Sequence, residues 1–200
     1  PNNQIHLTRF TQPALLTHSI ACLNLFQEQL STRITPRAAA GHSLGEYSAL
    51  VASGALDFAS ALQLVNERGR LMGELGEGEM EALPLEFQAA KHIAEQHYCA
   101  VAACNLPDQT VVGGRAADLD SLIEQFGIDF PAKRSARLKT EGAFHTFYMI
   151  ETAMQFRSTL ANAPFQSPAV SVLSNASGAF HTKDPDAIRA ALFIQLFSPV

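Results

Sequence analysis

Gly41-His42-Ser43-Leu44-Gly45 is the stretch of this sequence best suited to covalent chemistry. A Gly-x-Ser-x-Gly run lets a chain turn sharply from a strand into a helix and leaves the serine hydroxyl exposed at the turn. Such a serine can attack an activated carbonyl and hold the acyl group as an ester. The helix beginning just beyond Ser43 supplies backbone N–H groups, and that of Leu44 points at an oxyanion developing on an acyl group attached to Ser43. A hydroxyl is a poor nucleophile at neutral pH, so a base is required, and histidine is the usual one.

The sequence contains 7 histidines. His42 adjoins the serine but points away across the turn, and His92 and His97 lie on the polar flank of a helix. His6, His18 and His181 sit in polar surroundings and read as surface residues. His145 follows Gly142-Ala143-Phe144 just before a helix. Local sequence leaves it open between a base and a structural histidine.

Arg68 is the most informative charge. It falls on the apolar stripe of its helix, seven residues after Ala61 and four after Leu64, where a buried guanidinium must be paired. Two readings stay open: an internal salt bridge, for instance to Glu46, or a fork that clamps a substrate carboxylate. Arg70 faces elsewhere. No metal pattern is present, because the spacings of His92, His97, Cys99 and Cys104 match no ligand pair. Gly113-Gly114 lacks the lysine and further glycines of a phosphate loop and reads as a strand-to-helix turn.

The elements that must carry these residues follow from periodicity. Apolar positions Ala14, Leu15, Ile20, Leu23, Leu25 and Phe26 predict a helix over 12–30, which Ser31, Thr32 and Pro36 interrupt. Ala38-Ala39-Ala40 suits a central strand packed closely on both sides. Glu46 to Ser53 reads as a helix ended by Gly54, and a second helix runs over 58–75. Its end dissolves into a glycine-rich acidic stretch over 73–79, a hinge or domain boundary. Strand 80–85, helix 88–96, strands 99–104 and 110–113, helix 116–126 and strand 135–140 then give a β-α-β-β-α-β order, the signature of a ferredoxin-like unit. Beyond it come a helix at 146–161, a strand at 169–174 and a helix at 185–196. The expected domains are a large unit over 1–78 and 141–200, with a small unit over 79–140 inserted.

Composition narrows the function classes. Two hundred residues, 47% of them hydrophobic and 16% charged, bury a substantial core, and the net charge of -5 comes without any Lys/Arg block. This argues against nucleic acid and an anionic membrane surface as partners. No apolar run reaches the ~20 residues of a membrane helix. Cys22, Cys99 and Cys104 have apolar flanks, as expected of buried thiols in a reducing compartment, so the cytoplasm is the expected location. Pro1 and the apolar Ser198-Pro199-Val200 ending read as cut ends of a longer protein.

Three motifs together, Gly41-His-Ser-Leu-Gly-Glu-Tyr47, Arg68-Gly-Arg-Leu-Met72 and Gly142-Ala-Phe-His145, resemble the malonyl-CoA:acyl carrier protein transacylase family, which includes the acyltransferase domains of fatty acid and polyketide synthases. The resemblance runs from Gln12-Pro13-Ala14 to Val200. It implies an α/β fold, an α/β-hydrolase-like large domain with an inserted ferredoxin-like small domain. It also implies Ser43 as the acylated serine, His145 as its base, Leu44 as an oxyanion N–H donor and Arg68 as the carboxylate-binding arginine. Gln195 matches a glutamine whose main-chain carbonyl orients the histidine in place of a triad acid. Asn105 matches an asparagine lining the cleft. Phe144, before the histidine, accompanies malonyl selection in related polyketide enzymes, a preference of ~1–3 kcal/mol for one methyl.

The implied function is transfer of a malonyl unit from coenzyme A to the phosphopantetheine thiol of an acyl carrier protein, with malonyl-CoA as substrate and no bound cofactor. The sequence departs from the family where Thr146-Phe147-Tyr148 follows the histidine, where Glu81 follows Met80 in place of a small residue, and in lacking the N-terminal Gly-Gln-Gly-Ser-Gln segment. The rival readings are a hydrolase that clears carrier-bound acyl chains, a catalytically silent carrier-docking domain, and a generic serine esterase. Arg68 argues against the hydrolase and the esterase, since neutral acyl groups need no buried cation.

Overall fold

The computed structural model describes residues 4–30 and 34–200. The chain forms two compact units, Pro1–Leu71 with Gln155–Ile194, and Met72–Met154 with Gln195–Val200. The architecture is α/β, with a parallel strand pair in the first unit and an antiparallel four-stranded sheet in the second.

In the first unit, α1 (Thr8–Gln29) is longer at its start than its apolar pattern predicts and carries Pro13 within its second turn. The expected break at Ser31 and Thr32 lies outside the described residues. The helix buries Gln12, Leu16 and Ile20, one residue per turn, while Leu15, Leu25 and Phe26 of the expected apolar stripe are exposed. The polar Gln12 thus sits on the buried line. The small-residue run forms only a short strand, β1 (Ala38–Ala39), exposed to half-buried, paired in parallel with β6 (Ser171–Val172). It is not a strand packed on both sides, and its side chains are too small to bury much area. Then follow α2 (Leu44–Ala52) and α3 (Phe58–Leu75), whose bounds agree with the predicted 58–75. Tyr47, Leu50, Leu64, Val65, Phe156, Leu160, Val172 and Leu192 are buried in this unit, each large apolar side chain contributing about 1.5–3 kcal/mol. Gly69 lets α3 approach the start of α1, since a Cβ there would lie 2.9 Å from the Thr8 carbonyl oxygen.

In the second unit, β2 (Glu79–Leu83), α4 (Phe87–Gln96), β3 (Ala100–Leu106), β4 (Gln109–Gly114), α5 (Ala116–Asp129) and β5 (Ala136–Leu138) follow in chain order. The strands pair in the order β3-β4-β2-β5, every neighbour antiparallel. Leu83, Val101 and Val112 share a buried cluster with Ile93 of α4 and with Leu119, Leu122 and Phe126 of α5. A smaller cluster holds Met80, Ala102, Ala103 and Val111, with Phe144 packed against it. The main chain of Val200 bonds to the β3 edge, its N–H donating to the Ala102 carbonyl (3.1 Å) and its carbonyl accepting from the Cys104 N–H (2.8 Å). The predicted helix 146–161 opens as a 3-10 turn over Phe147–Met149 before α6 (Ile150–Asn162), and α7 spans Pro185–Gln195. No helix among the described residues is long and apolar enough to cross a membrane.

Candidate active site

Ser43 stands between β1 and α2 with φ 51 and ψ -104, a backbone that L residues rarely adopt. Gly41 makes the turn possible: a Cβ at this position would lie 2.0 Å from the Gly45 carbonyl carbon. On the helix side, Gly45 N–H donates to the His42 carbonyl (2.8 Å) and Glu46 N–H to that of Ser43 (3.2 Å). On the strand side, one side chain spans the turn. Asn175 accepts from the Ser43 N–H through Oδ1 (2.5 Å) and donates to the Gly41 carbonyl through Nδ2 (2.9 Å). Leu44 is the first residue of α2, so its N–H belongs to the first turn, where no earlier helical carbonyl is available to it. A developing oxyanion at Ser43 would meet that N–H and the positive end of the helix.

Arg68, 1% exposed, occupies the apolar face of α3 as its spacing predicts. Its guanidinium donates to Gln12 Oε1 (2.7 Å) and to Ser43 Oγ (3.1 Å), and stands 5.5 Å from the centre of the Tyr47 ring. Gln12 is in turn held by Thr8, donating to its Oγ1 at 3.0 Å. Burial pulls the Arg68 pKa below the ordinary guanidinium value, while Tyr47 and Glu46 act the other way. The group stays cationic, because guanidinium does not lose its proton in proteins. The structure therefore joins the predicted nucleophile to the predicted carboxylate binder by a direct hydrogen bond. Arg70, by contrast, pairs with Glu67 (2.7 Å) at the half-exposed side of the helix.

His145, 5% exposed, also has a positive φ, 61. Its Nδ1 lies 2.7 Å from the main-chain oxygen of Gln195, the last residue of α7. A carbonyl can only accept, so Nδ1 carries the proton of this bond, and in the neutral ring Nε2 is the acceptor nitrogen. The Ala143 N–H donates to the Glu77 carbonyl (2.7 Å), and Thr146 Oγ1 donates to that of Ala143 (2.5 Å). His145 also lines a cavity of about 430 Å³ whose other walls include Phe87, Val101, Phe147 and Phe197. Cys99 borders the same cavity, but burial pushes its thiol up to about 12, so it is neutral and no nucleophile. Phe144 is half-buried beside Met80, and Asn105 is exposed on β3.

Two features depart from the sequence-based expectation, and a third residue finds its partner. His181 is not a surface residue: its side chain is 3% exposed and its Nε2 lies 2.6 Å from Glu46 Oε1, because a fully buried carboxylate requires a donor. Cys22 and Cys104 are exposed and only Cys99 is buried, since apolar sequence neighbours do not fix which face of an element a residue takes. Glu81, the departure in β2, is buried and ion-paired with Arg137 Nε at 2.9 Å. Gln12 and Asn175 carry site geometry that sequence reasoning missed. The glutamine on the buried line of an amphipathic helix was the one available signal. His6, His18 and His92 are exposed, as expected, and His42 is exposed as well.

The sequence pattern of the acyl transferase domain family matches residues 1–191. The malonyl CoA-acyl carrier protein transacylase of Bacillus subtilis (strain 168) is 39% identical over 206 residues, covering 98% of this chain and 63% of that protein. The malonyl CoA-acyl carrier protein transacylase structure from Coxiella burnetii superimposes with a TM-score of 0.93 at 34% identity, over 100% of this chain and 65% of its own. A malonyl-transacylase solved in complex with its type II PKS acyl-carrier protein gives a TM-score of 0.91 at 31% identity, over 100% of this chain and 66% of its own. The chain thus spans just under two thirds of the length of these relatives. With its motifs seated on these elements and its match running over residues 1–191, the chain belongs to the acyl transferase domain family.

Proposed function

We propose that the protein carrying this chain moves a malonyl unit from coenzyme A to the phosphopantetheine thiol of an acyl carrier protein, through an ester on Ser43. His145 Nε2 takes the Ser43 proton as Oγ attacks the thioester carbonyl. The tetrahedral oxyanion rests on the Leu44 N–H. Collapse breaks the C–S bond, and the proton held on His145 passes to the departing coenzyme A sulfur. The carrier thiol then gives its proton to His145 and attacks the ester, and the Ser43 oxygen recovers the proton as it leaves. The thioester brings its own activation, so no bound cofactor enters.

The observation that carries this reading is the buried Arg68 fork donating to Ser43 Oγ. In malonyl-Ser43 the free carboxylate lies a carbonyl and one methylene from that oxygen, within reach of the same guanidinium. A bidentate pair there would both bind the substrate and aim its thioester. Phe144 is assigned to extender selection and Asn105 to the lining of the substrate cleft. Gln195 orients His145 through its main-chain oxygen. The names of the relatives, which include malonyl transacylases and one complex with an acyl-carrier protein, support the same substrates. The β-α-β-β-α-β order and the antiparallel order β3-β4-β2-β5 support reading 79–140 as a ferredoxin-like insert in an α/β-hydrolase-like domain formed by 1–78 and 141–200.

Arg68→Ala tests the reading. Transfer of malonyl by the full-length protein should fall by roughly 10²-fold or more in kcat/KM, whereas acetyl transfer changes little. Equal loss for both acyl groups would remove Arg68 from its role.

A further inference from the structure

We infer that Asn175 is a positioning residue for Ser43, aligned by the buried pair of Glu46 and His181; this rests on the reading of Ser43 as the nucleophile. The Ser43 backbone, at φ 51 and ψ -104, is costly for a residue other than glycine, so its surroundings must over-determine it. The first turn of α2 fixes only the helix side. On the strand side the Asn175 amide pins both peptide groups flanking His42, donating to the Gly41 carbonyl and accepting from the Ser43 N–H. These two bonds also fix which amide atom is oxygen and which nitrogen. No other side chain of this length offers a donor and an acceptor together: aspartate lacks the donor, and glutamine is one methylene too long.

Asn175 is itself held. Its N–H donates to Glu46 Oε2 (3.0 Å), while Glu46 Oε1 accepts from His181 Nε2 (2.6 Å). Glu46 lies in the first turn of α2, where the helix dipole favours a negative charge. Asn175 and His181 come from one turn of chain closed by the Leu173–Phe180 bridge and by the His181 N–H to Val172 carbonyl bond (2.8 Å). The circuit therefore runs from α2 through Glu46 to Asn175 and back to the residue preceding α2. It fixes where Oγ points without touching substrate.

The test is single-turnover acylation of the full-length protein by malonyl-CoA, followed as malonyl mass on the Ser43 peptide. Asn175→Asp should slow acylation by roughly 10²-fold, as for a nucleophile displaced by about an ångström, with the half-saturating malonyl-CoA concentration unchanged. His181→Leu should slow it less, and His181→Gln, whose amide nitrogen reaches the place of Nε2, should restore the wild-type rate. Asn175→Asp acylating at the wild-type rate overturns the inference, as does a loss that appears in the half-saturating concentration alone. Should Asn175→Asp fail to fold, the His181 pair decides: a slow Leu variant rescued by Gln supports the circuit, and two variants at the wild-type rate overturn it. A wild-type protein that acquires no malonyl on Ser43 overturns the nucleophile assignment itself, and the inference with it.

Discussion

The turn at Ser43 and the turn at His145 both hold a non-glycine residue at positive φ, 51 and 61, yet they are secured by different kinds of group. At Ser43 the bonds that reach across the turn come from a side chain 132 positions away in sequence, backed by two more side chains, Glu46 and His181. At His145 the ring is oriented by the main-chain oxygen of Gln195, and the preceding loop is tied by main chain to Glu77. A clamp made of side chains can be removed by one substitution. A clamp made of carbonyls survives any change of side chain that keeps the fold.

The largest effect is expected at Gly41. In Gly41→Ala the new Cβ would meet Gly45 backbone at 2.0 Å, and backbone cannot swing aside as a flexible side chain does. The turn must open, at a cost of about 3 kcal/mol of stability, and Ser43 loses its alignment. Chemical denaturation together with malonyl loading of Ser43 checks this. A variant that keeps both stability and loading would show that the turn is not held by close approach.

Next comes a contrast within the His145 turn. His145→Ala should lower acylation by roughly 10²–10⁴-fold, the usual contribution of a general base. Gln195→Ala should stay within about tenfold of wild type, because the oxygen that accepts from Nδ1 belongs to the backbone and remains. If Gln195→Ala were as damaging as His145→Ala, the side chain and not the carbonyl would be orienting the ring, and the distinction between the two turns would fall.

The same difference explains what the sequence revealed. Local patterns were readable: the Gly-x-Ser-x-Gly turn, the 58–75 helix, the placement of Arg68 on its apolar face, and the sequence of strands and helices from Glu79 to Leu138. Each of these is set by neighbours within a few positions. Asn175, His181 and the Gln12 contact with Arg68 were not readable, since their partners lie 132, 135 and 56 positions away. Nothing in Ser174-Asn175-Ala176 distinguishes a clamp from an ordinary turn asparagine. Small residues misled in the other direction: Ala38 to Ala40 suggested tight packing, yet β1 lies exposed to half-buried. The antiparallel sheet was the more legible part because its two long strands, β3 and β4, carry continuous small and apolar runs bounded by polar turns, whereas the parallel pair has too few residues to show any pattern.

The smallest effect is expected at Thr146. Thr146 brings a side chain into the His145 turn: its Oγ1 donates to the Ala143 carbonyl and accepts from the Tyr148 N–H (3.4 Å), capping the 3-10 turn that follows. Thr146→Val keeps the shape and removes both bonds, which should cost about 1 kcal/mol of stability, as for a lost helix cap. Acylation should nevertheless change by less than about threefold, because the Gln195 oxygen still fixes Nδ1. Asn175→Asp removes a single donor and is expected to do far more. Thermal melts and single-turnover loading of the two variants side by side would separate a turn whose side-chain bonds only stabilise it from one whose side-chain bonds aim the reacting oxygen. A Thr146→Val protein slowed as much as Asn175→Asp would erase that difference.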